Sequence, residues 1–139
     1  TKELFTSFEE KTIVAQGEIM STTMVEAYLQ EQGIKAILLP ALDFMRTDKN
    51  SEPNLHEITD LLSKIMEENT GYQIYLTQGF ICRNAYGEID NLQRGGSDYT
   101  ASLVGAAINS EEVQICGRNP WIIVSQQLLL LFYLEIVYK

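Results

Sequence analysis

The alternation of helix-like and strand-like segments constrains the fold of this chain more than any other feature of its sequence. The clearest helix runs from Leu55 to Met66, where apolar residues recur every three or four positions and form one stripe. Asn54 and Glu57 resemble a capping box at its start. Short apolar runs at residues 34–39 and 72–77 flank this helix and predict buried strands.

The remaining segments repeat the same alternation. Further helices are predicted at residues 3–15, 18–32 and 97–109, and a further strand at 113–115. Strands that alternate with helices are typical of a parallel sheet covered by helices. We therefore expect an α/β fold, a three-layer sandwich with a mainly parallel sheet that is incomplete in this chain.

Glycines are expected to divide these segments. Gly17 is predicted to separate the first two helices, and Gly33 to end the second, because glycine accepts the left-handed conformation beyond a helix end.

Residues 81–96 are predicted to form a loop or a short hairpin with Tyr86 and Gly87 at its tip. Residues 1–115 are expected to be part of one domain, and residues 116–139 an apolar tail that packs on the sheet.

The charge of the chain excludes several classes of partner. Ten basic and nineteen acidic side chains give a net charge of −9, which repels nucleic-acid phosphates and anionic membrane surfaces.

The apolar run at 128–134 is shorter than the roughly twenty residues that a membrane span needs. Cys82, Cys116 and His56 do not form a zinc-binding set, so we expect reduced thiols, no metal site and a cytoplasmic location.

Two glycine-containing turns are the best candidates for a binding site. Residues 77–80 follow a predicted strand, and residues 94–98 precede a predicted helix whose first N–H groups are unpaired. Arg94 can grip a carboxylate with two parallel hydrogen bonds, and Gly95 and Gly96 let the backbone approach an anion. The second turn is therefore a candidate cradle for a carboxylate or phosphate. The alternative is an ordinary glycine-rich turn in which Ser97 caps the helix.

Glu18 is the candidate for the opposite charge. It is predicted to lie in the first turn of the helix that follows Gly17, where a carboxylate complements the helix dipole. Its functional interpretation is a carboxylate that receives an ammonium group, so that Glu18 and Arg94 together fit a zwitterion. Arg46 and Asp48 are interpreted as a surface ion pair, and His56 as a solvated side chain.

Four segments together resemble the aspartokinases, within the amino-acid kinase (carbamate kinase-like) fold. They are residues 17–21 (Gly-Glu-Ile-Met-Ser), 45–48 (Met-Arg-Thr-Asp), 77–80 (Thr-Gln-Gly-Phe) and 94–101 (Arg-Gly-Gly-Ser-Asp-Tyr-Thr-Ala). The last segment is the most specific, and the resemblance covers about residues 3–115. It implies transfer of a phosphoryl group from ATP with Mg²⁺ to the side-chain carboxylate of L-aspartate, a step of lysine, threonine and methionine biosynthesis, in a homo-oligomer.

The resemblance also implies roles for individual residues. Glu18 would hold the substrate's amino group, Arg94 would clamp a substrate carboxylate, and Phe80 would line the substrate pocket. Gly95, Gly96 and Ser97 would shape the turn. Asp98 would orient the reacting groups, through a lysine.

The chain departs from the family in the parts that hold phosphate. The family's Lys-Phe-Gly-Gly opening has no match here, and Cys116 to Asn119 stand where its Trp-Thr-Asp segment begins the nucleotide site. Its later Gly-Ala-Lys segment and its regulatory domains are also missing, so nucleotide-binding residues are not assigned. Because loss of one transition-state donor costs about 10²–10³-fold, we expect the chain alone to be inactive.

Two other functions stay open at this point. One is a kinase of the same fold that acts on another amino acid, such as glutamate, although residues 97–100 favour aspartate. The other is a module without catalysis, which binds an amino acid or forms oligomers through an exposed sheet edge.

Overall fold

Helices and strands alternate along the chain as the sequence predicts. The structure, a computed structural model, describes residues 6–92, 95–115 and 136–138. In chain order the elements are α1 (Ser7–Glu31), β1 (Ala36–Leu38), α2 (Ala41–Phe44), α3 (Leu55–Glu68), β2 (Ile74–Leu76), β3 (Ile81–Arg83), β4 (Ile89–Asn91), α4 (Gly96–Ala107), β5 (Glu112–Gln114) and β6 (Ile136–Tyr138).

The parallel pair β1 and β2 forms the centre of the α/β arrangement. Ile37 lies opposite Tyr75 in this pair, and α2 and α3 connect the two strands. The predicted α/β class with parallel strands and covering helices is therefore confirmed. Because the strands run in the same direction, their carboxyl ends meet at one edge, where β1 leads into α2 and β2 leads into residues 77–80.

Helix α1 differs from the prediction, because it is one continuous helix of 25 residues and Gly17 does not interrupt it. The space beside Gly17 is open, and Ala15 and Ile19 on either side of it pack on the core, so packing holds the helix straight through the glycine. Glycine inside a helix costs only about 1 kcal/mol relative to alanine, which packing can offset. Glu18 is consequently in the middle of α1, and its predicted place in a first helical turn is wrong.

The carboxyl end of α1 confirms the predicted stop at Gly33. Gly33 has φ = 77°, its N–H donates to the carbonyl of Gln30 (3.0 Å), and the N–H of Ile34 donates to the carbonyl of Leu29 (3.0 Å). This pair of bonds is the Schellman motif. It turns the chain from α1 directly into β1.

The predicted start of α3 is also confirmed. Asn54 is the N-cap, and its Oδ1 accepts a hydrogen bond from the N–H of Glu57 (3.3 Å). The Glu57 carboxylate accepts from Asn54 Nδ2 (3.0 Å). In the usual capping box the glutamate reaches the N-cap backbone, but that N–H donates here to the carbonyl of Arg46.

Two apolar clusters stabilise the described part of the chain. The smaller cluster joins the end of α1 to the parallel strands through Leu29, Ala36 and Leu76. The larger cluster joins α1 to α2, α3, the β3–β4 hairpin and α4, and its buried members are Ala15, Leu39, Ala41, Phe44, Met45, Ile58, Leu62, Ile81, Cys82, Leu92, Leu103 and Ala107. Helix α1 thus contacts one cluster at Ala15 and the other at Leu29.

The predicted hairpin is present, whereas the last strand pairs differently from the prediction. Strands β3 and β4 are antiparallel, and Asn84 Oδ1 accepts from the N–H groups of Tyr86 (2.9 Å) and Glu88 (3.0 Å) at the tip. Strand β5 was expected in the parallel sheet, but among the described residues it pairs antiparallel with β6 of the tail. A strand supplied by the tail thus takes the place of a parallel neighbour.

Most of the predicted tail, including Cys116 and the apolar run at 128–134, lies outside the described residues. In the part of the chain that the structure describes, no helix combines the length and the apolar character that crossing a membrane requires.

Two glycine substitutions test the continuity of α1. Gly17→Ala should raise the free energy of unfolding by about 0.5–1 kcal/mol, because alanine favours the helix and its Cβ meets open space. Gly33→Ala should lower it by about 1–2 kcal/mol, because alanine is strained at positive φ. Urea denaturation measures both. A destabilising Gly17→Ala would indicate a break at residue 17.

Candidate functional site

The side chain of Gln78 joins three elements at the carboxyl edge of the parallel strands. Only 2% of Gln78 is exposed, and its Oε1 accepts a hydrogen bond from the N–H of Ala41 at the start of α2 (2.8 Å). Its Nε2 donates to Thr22 Oγ1 on α1 (2.9 Å). Buried polar groups are costly unless they are paired, and this amide is paired at both ends.

Thr22 connects this amide to the turn of α1 that carries Glu18. Thr22 Oγ1 donates to the backbone carbonyl of Glu18 at 2.7 Å. The Glu18 side chain is half-buried, and this burial raises the pKa of its carboxyl above the ordinary value of 4.5. Glu18 is thus a partly desolvated acid one helical turn from the residue that contacts Gln78.

The two glycine-containing turns lie against each other with no room for a side chain between them. A Cβ on Gly79 would be 2.5 Å from Ser97 Oγ and 3.2 Å from Ser97 Cα, and a Cβ on Gly96 would collide with Cβ of Phe80. The glycines therefore allow the end of β2 to approach the start of α4 at backbone distance.

Thr100 fixes the orientation of Phe80. Phe80 has φ = 51°, an uncommon value for a residue other than glycine, and its N–H donates to Thr100 Oγ1 (3.0 Å). The Thr100 hydroxyl in turn donates to the carbonyl of Gly96 (2.9 Å). A buried threonine in α4 thus satisfies the N–H of a strained residue in the neighbouring turn.

Helix α4 begins at a glycine and not at Ser97. Gly95 is the N-cap, with φ = 65°, and no side chain caps the helix. Ser97 and Asp98 lie in the first turn, so the alternative in which Ser97 is the capping residue is wrong. The N–H groups of this turn have no acceptor within the helix, which favours an anion in front of them.

The predicted site residues fall into three groups. Phe80 and Ser97 lie at the contact between the two turns, Gly95 precedes the Gly96 of that contact, and the Glu18 backbone is joined to Gln78 through Thr22. Asp98 follows in the first turn of α4 and its side chain is exposed. Arg94 lies outside the described residues.

Arg46 and Asp48 do not form the predicted ion pair. The Arg46 guanidinium donates to the carbonyls of Leu42 (2.9 Å) and Asp43 (3.0 Å) at the end of α2. Asp48 Oδ1 accepts from the N–H groups of Glu52 (3.0 Å) and Asn50 (2.7 Å), and these two bonds lower the pKa of its carboxyl. Each side chain thus satisfies nearby backbone groups, and the carboxylate that lies near the Arg46 guanidinium is that of Glu57 (3.9 Å).

A surface cleft of about 410 Å³ lies beside this loop, away from the two glycine turns. It is lined by residues 46–49, Asn54, Glu57, Asn84, Ala85 and Gly87. The guanidinium and the Asp48 carboxylate are engaged in backbone hydrogen bonds, so the cleft is less suited to a zwitterion than the region around Glu18.

Other reactive groups have structural explanations. His56 is 87% exposed and lies 3.2 Å from Asp60, which agrees with a solvated side chain. Cys82 is fully buried, and this burial raises the pKa of its thiol to about 12, so it is a poor nucleophile. In the described ranges, no three His, Cys, Asp or Glu side chains cluster as metal ligands.

Sequence reasoning missed the residues that hold the site together. From the sequence, Gln78 is only part of a predicted turn, and no role is predicted for Thr22 or Thr100. Their partners are distant in sequence, since Thr22 and Gln78, for example, are 56 residues apart. The sequence does contain a signal for two of them. Gln78 is a polar residue beside Gly79 at a strand end, and Thr22 follows Glu18 by four residues, about one helical turn.

Comparison with known proteins gives consistent matches. The model of the amino acid kinase family matches residues 2–119. The bifunctional aspartokinase/homoserine dehydrogenase 2 of Escherichia coli K12 is 35% identical over 105 residues, which are 74% of this chain and 13% of that protein. The lysine-sensitive aspartokinase 3 of the same organism is 32% identical over 113 residues, 79% of this chain and 25% of that protein.

Solved structures give the same result. E. coli aspartokinase III in complex with aspartate and ADP (R-state) superposes with a TM-score of 0.67 at 30% identity, covering 75% of this chain and 24% of that one. The same enzyme with lysine and aspartate (T-state) gives a TM-score of 0.65 at 32% identity, with the same coverage. The chain thus spans a quarter or less of the length of these proteins.

The raised pKa of Glu18 predicts a pH-dependent stability difference. Because the folded chain disfavours the Glu18 charge, that charge lowers stability at pH values above the folded pKa and has no effect below 4.5. Glu18→Gln should therefore be more stable than the wild type near pH 7, and the difference should vanish as the pH falls below 4.5. Urea denaturation at several pH values measures this.

Glu10→Gln, at an exposed position of the same helix, controls for the change in net charge. A Glu18→Gln variant less stable than the wild type at neutral pH would contradict the desolvated state of this carboxylate.

Proposed function

Because this chain belongs to the amino acid kinase family, we propose that it is the amino-acid-binding part of an aspartate kinase. The observation that carries the proposal is the contact between the turn at residues 79–80 and the first turn of α4, with the Glu18 turn held next to it. The curated relatives and solved structures named above, all aspartokinases, support the same assignment.

The substrate in this proposal is a small zwitterion, L-aspartate. Glu18 receives the ammonium group, since a partly buried carboxylate gains most from an opposite charge. Arg94 clamps a carboxylate, assisted by the unpaired N–H groups at the start of α4. Phe80 lines the pocket, and Gly95 and Ser97 shape the turn, which the absence of side chains between the two turns supports.

The proposed reaction of the whole protein is phosphoryl transfer from ATP to the side-chain carboxylate of L-aspartate, which gives 4-phospho-L-aspartate. This chain would position the acceptor carboxylate of L-aspartate, and Asp98 would orient the reacting groups. The E. coli structure with aspartate and ADP supports a nucleotide as the second substrate. Among the described residues no three His, Cys, Asp or Glu side chains form a preformed metal site, and Mg²⁺ in kinases is held largely by the substrate phosphates.

We propose that the chain alone does not catalyse this transfer. Phosphoryl transfer depends on cations around the phosphates, and the sequence has no match to the family's Lys-Phe-Gly-Gly and Trp-Thr-Asp segments. The homo-oligomer and the cytoplasmic location stay predictions.

Amino-acid binding tests the central part of the proposal. L-aspartate should bind the full-length protein more tightly than L-glutamate in isothermal titration calorimetry. Arg94→Ala should weaken L-aspartate binding about 10–100-fold, because a charge-assisted hydrogen bond is worth about 1.5–3 kcal/mol. Lys49→Ala, which removes an exposed cation from the loop after α2, is the matched control. Unchanged affinity in Arg94→Ala would contradict the carboxylate role.

Hydroxylamine trapping of the acyl phosphate tests catalysis. With ATP, Mg²⁺ and L-aspartate, the 139-residue chain should give no hydroxamate above the background, while the full-length protein should give a signal that depends on L-aspartate. Product formed by the short chain would show that the missing segments are dispensable.

A further inference from the structure

We propose that Gln78 and Thr22 are a pair of positioning residues that hold Glu18 at the distance from the glycine turns at which it receives an ammonium group. The pair would thereby set the preference of the site for an amino acid over a ligand with carboxylates alone. This inference rests on the proposed function, because it concerns how the same site recognises its substrate.

The buried amide of Gln78 has a single orientation that satisfies both of its partners. The backbone N–H of Ala41 is only a donor, so the group that faces it must be the carbonyl oxygen Oε1 (2.8 Å). The Nε2 group must then face Thr22 Oγ1 (2.9 Å). The start of α2 therefore determines which end of the amide is presented to α1.

The Thr22 hydroxyl connects the Gln78 amide to Glu18 by hydrogen bonds. A hydroxyl has one hydrogen to donate, and Thr22 directs it to the backbone carbonyl of Glu18 (2.7 Å), with a longer contact to that of Ile19 (3.2 Å). Its lone pair accepts from Gln78 Nε2. The three groups are thus joined in one direction, from the amide through the hydroxyl to the backbone of Glu18.

The position of the Glu18 carboxylate depends on this hydrogen-bonded link, because the link holds the backbone of Glu18. Among the residues that the structure describes, no hydrogen bond is made to the carboxylate itself, so its place follows from the turn of α1 that carries it. Gln78 immediately precedes Gly79, which contacts Ser97. The link therefore sets the spacing between the Glu18 turn and the glycine turns.

A neighbouring threonine provides a matched control. Thr23 Oγ1 donates to the carbonyl of Ile19 at 2.7 Å, as Thr22 does to Glu18, but Thr23 is exposed and makes no bond to Gln78. Thr22→Val and Thr23→Val remove the same group from adjacent positions of one helix. Only the first breaks the connection to the strand end.

The test compares L-aspartate with succinate, which has the two carboxylates and no ammonium group. In the full-length protein, Thr22→Val and Gln78→Met should each weaken L-aspartate binding about tenfold or more in calorimetry, the scale of one lost charge-assisted contact. Succinate binding should change less than about twofold, so the preference for L-aspartate falls. Thr22→Ser should keep the wild-type preference, as should Thr23→Val.

The double variant Thr22→Val/Gln78→Met supplies a second readout. Since both residues act through one link, its loss of L-aspartate affinity should be close to that of the more affected single variant. If Gln78→Met does not fold, Thr22→Val alone tests the proposal, because it removes only one hydroxyl from a half-buried position. Its melting temperature shows whether the variant is folded.

The outcomes separate the two proposals. A wild-type protein that does not prefer L-aspartate to succinate would overturn the proposed function, and the positioning role with it. A wild type with that preference, together with a Thr22→Val variant that retains it, would overturn the positioning role alone. Equal weakening of both ligands in Thr22→Val would indicate a purely structural role and would also overturn it.

Discussion

The backbone-distance contact between residues 79–80 and the start of α4 is the constraint on which the candidate site depends. Neither Gly79 nor Gly96 has room for a Cβ atom, so strand β2 and helix α4 meet without an intervening side chain. Phe80, at this contact, has a positive φ, and its N–H donates to Thr100 of α4. Polar backbone groups at two element ends are thereby brought to one place, where a small charged ligand can reach them.

The fold was predictable from the sequence wherever local signals and packing agree. Helix α3, with its apolar stripe and Asn54 cap, and Gly33 with its left-handed turn both had a local signature that the structure repeats. Gly17 has the same kind of signature but does not end a helix, because a glycine's preference of about 1 kcal/mol is small beside the packing of its neighbours. The partner of β5 was beyond prediction, since strand pairing depends on contacts between residues that are distant in sequence.

The sequence indicates the glycines and the acid of the candidate site, which stay predictions as site residues, but not the hydrogen bonds that connect them. A glycine run before a helix and a lone acid are visible in the sequence, and they led to Gly95 and Glu18. Gln78 and Thr22 carry no comparable mark, because a buried amide and a helical threonine acquire their roles only when the chain brings them together. The same holds for Arg46, which was expected to pair with Asp48 but donates to carbonyls at the end of α2 and lies 3.9 Å from Glu57.

The continuity of α1 has a mechanical consequence for the region around Glu18. An unbroken helix behaves as a stiff rod, and this one is anchored at Ala15 in the larger cluster and at Leu29 in the smaller one. Leu29 is eleven residues from Glu18, or roughly 16 Å along the axis. A change in packing at Leu29 would therefore tilt the whole rod about its other anchor at Ala15, so that a cavity opened at Leu29 can alter the geometry at Glu18.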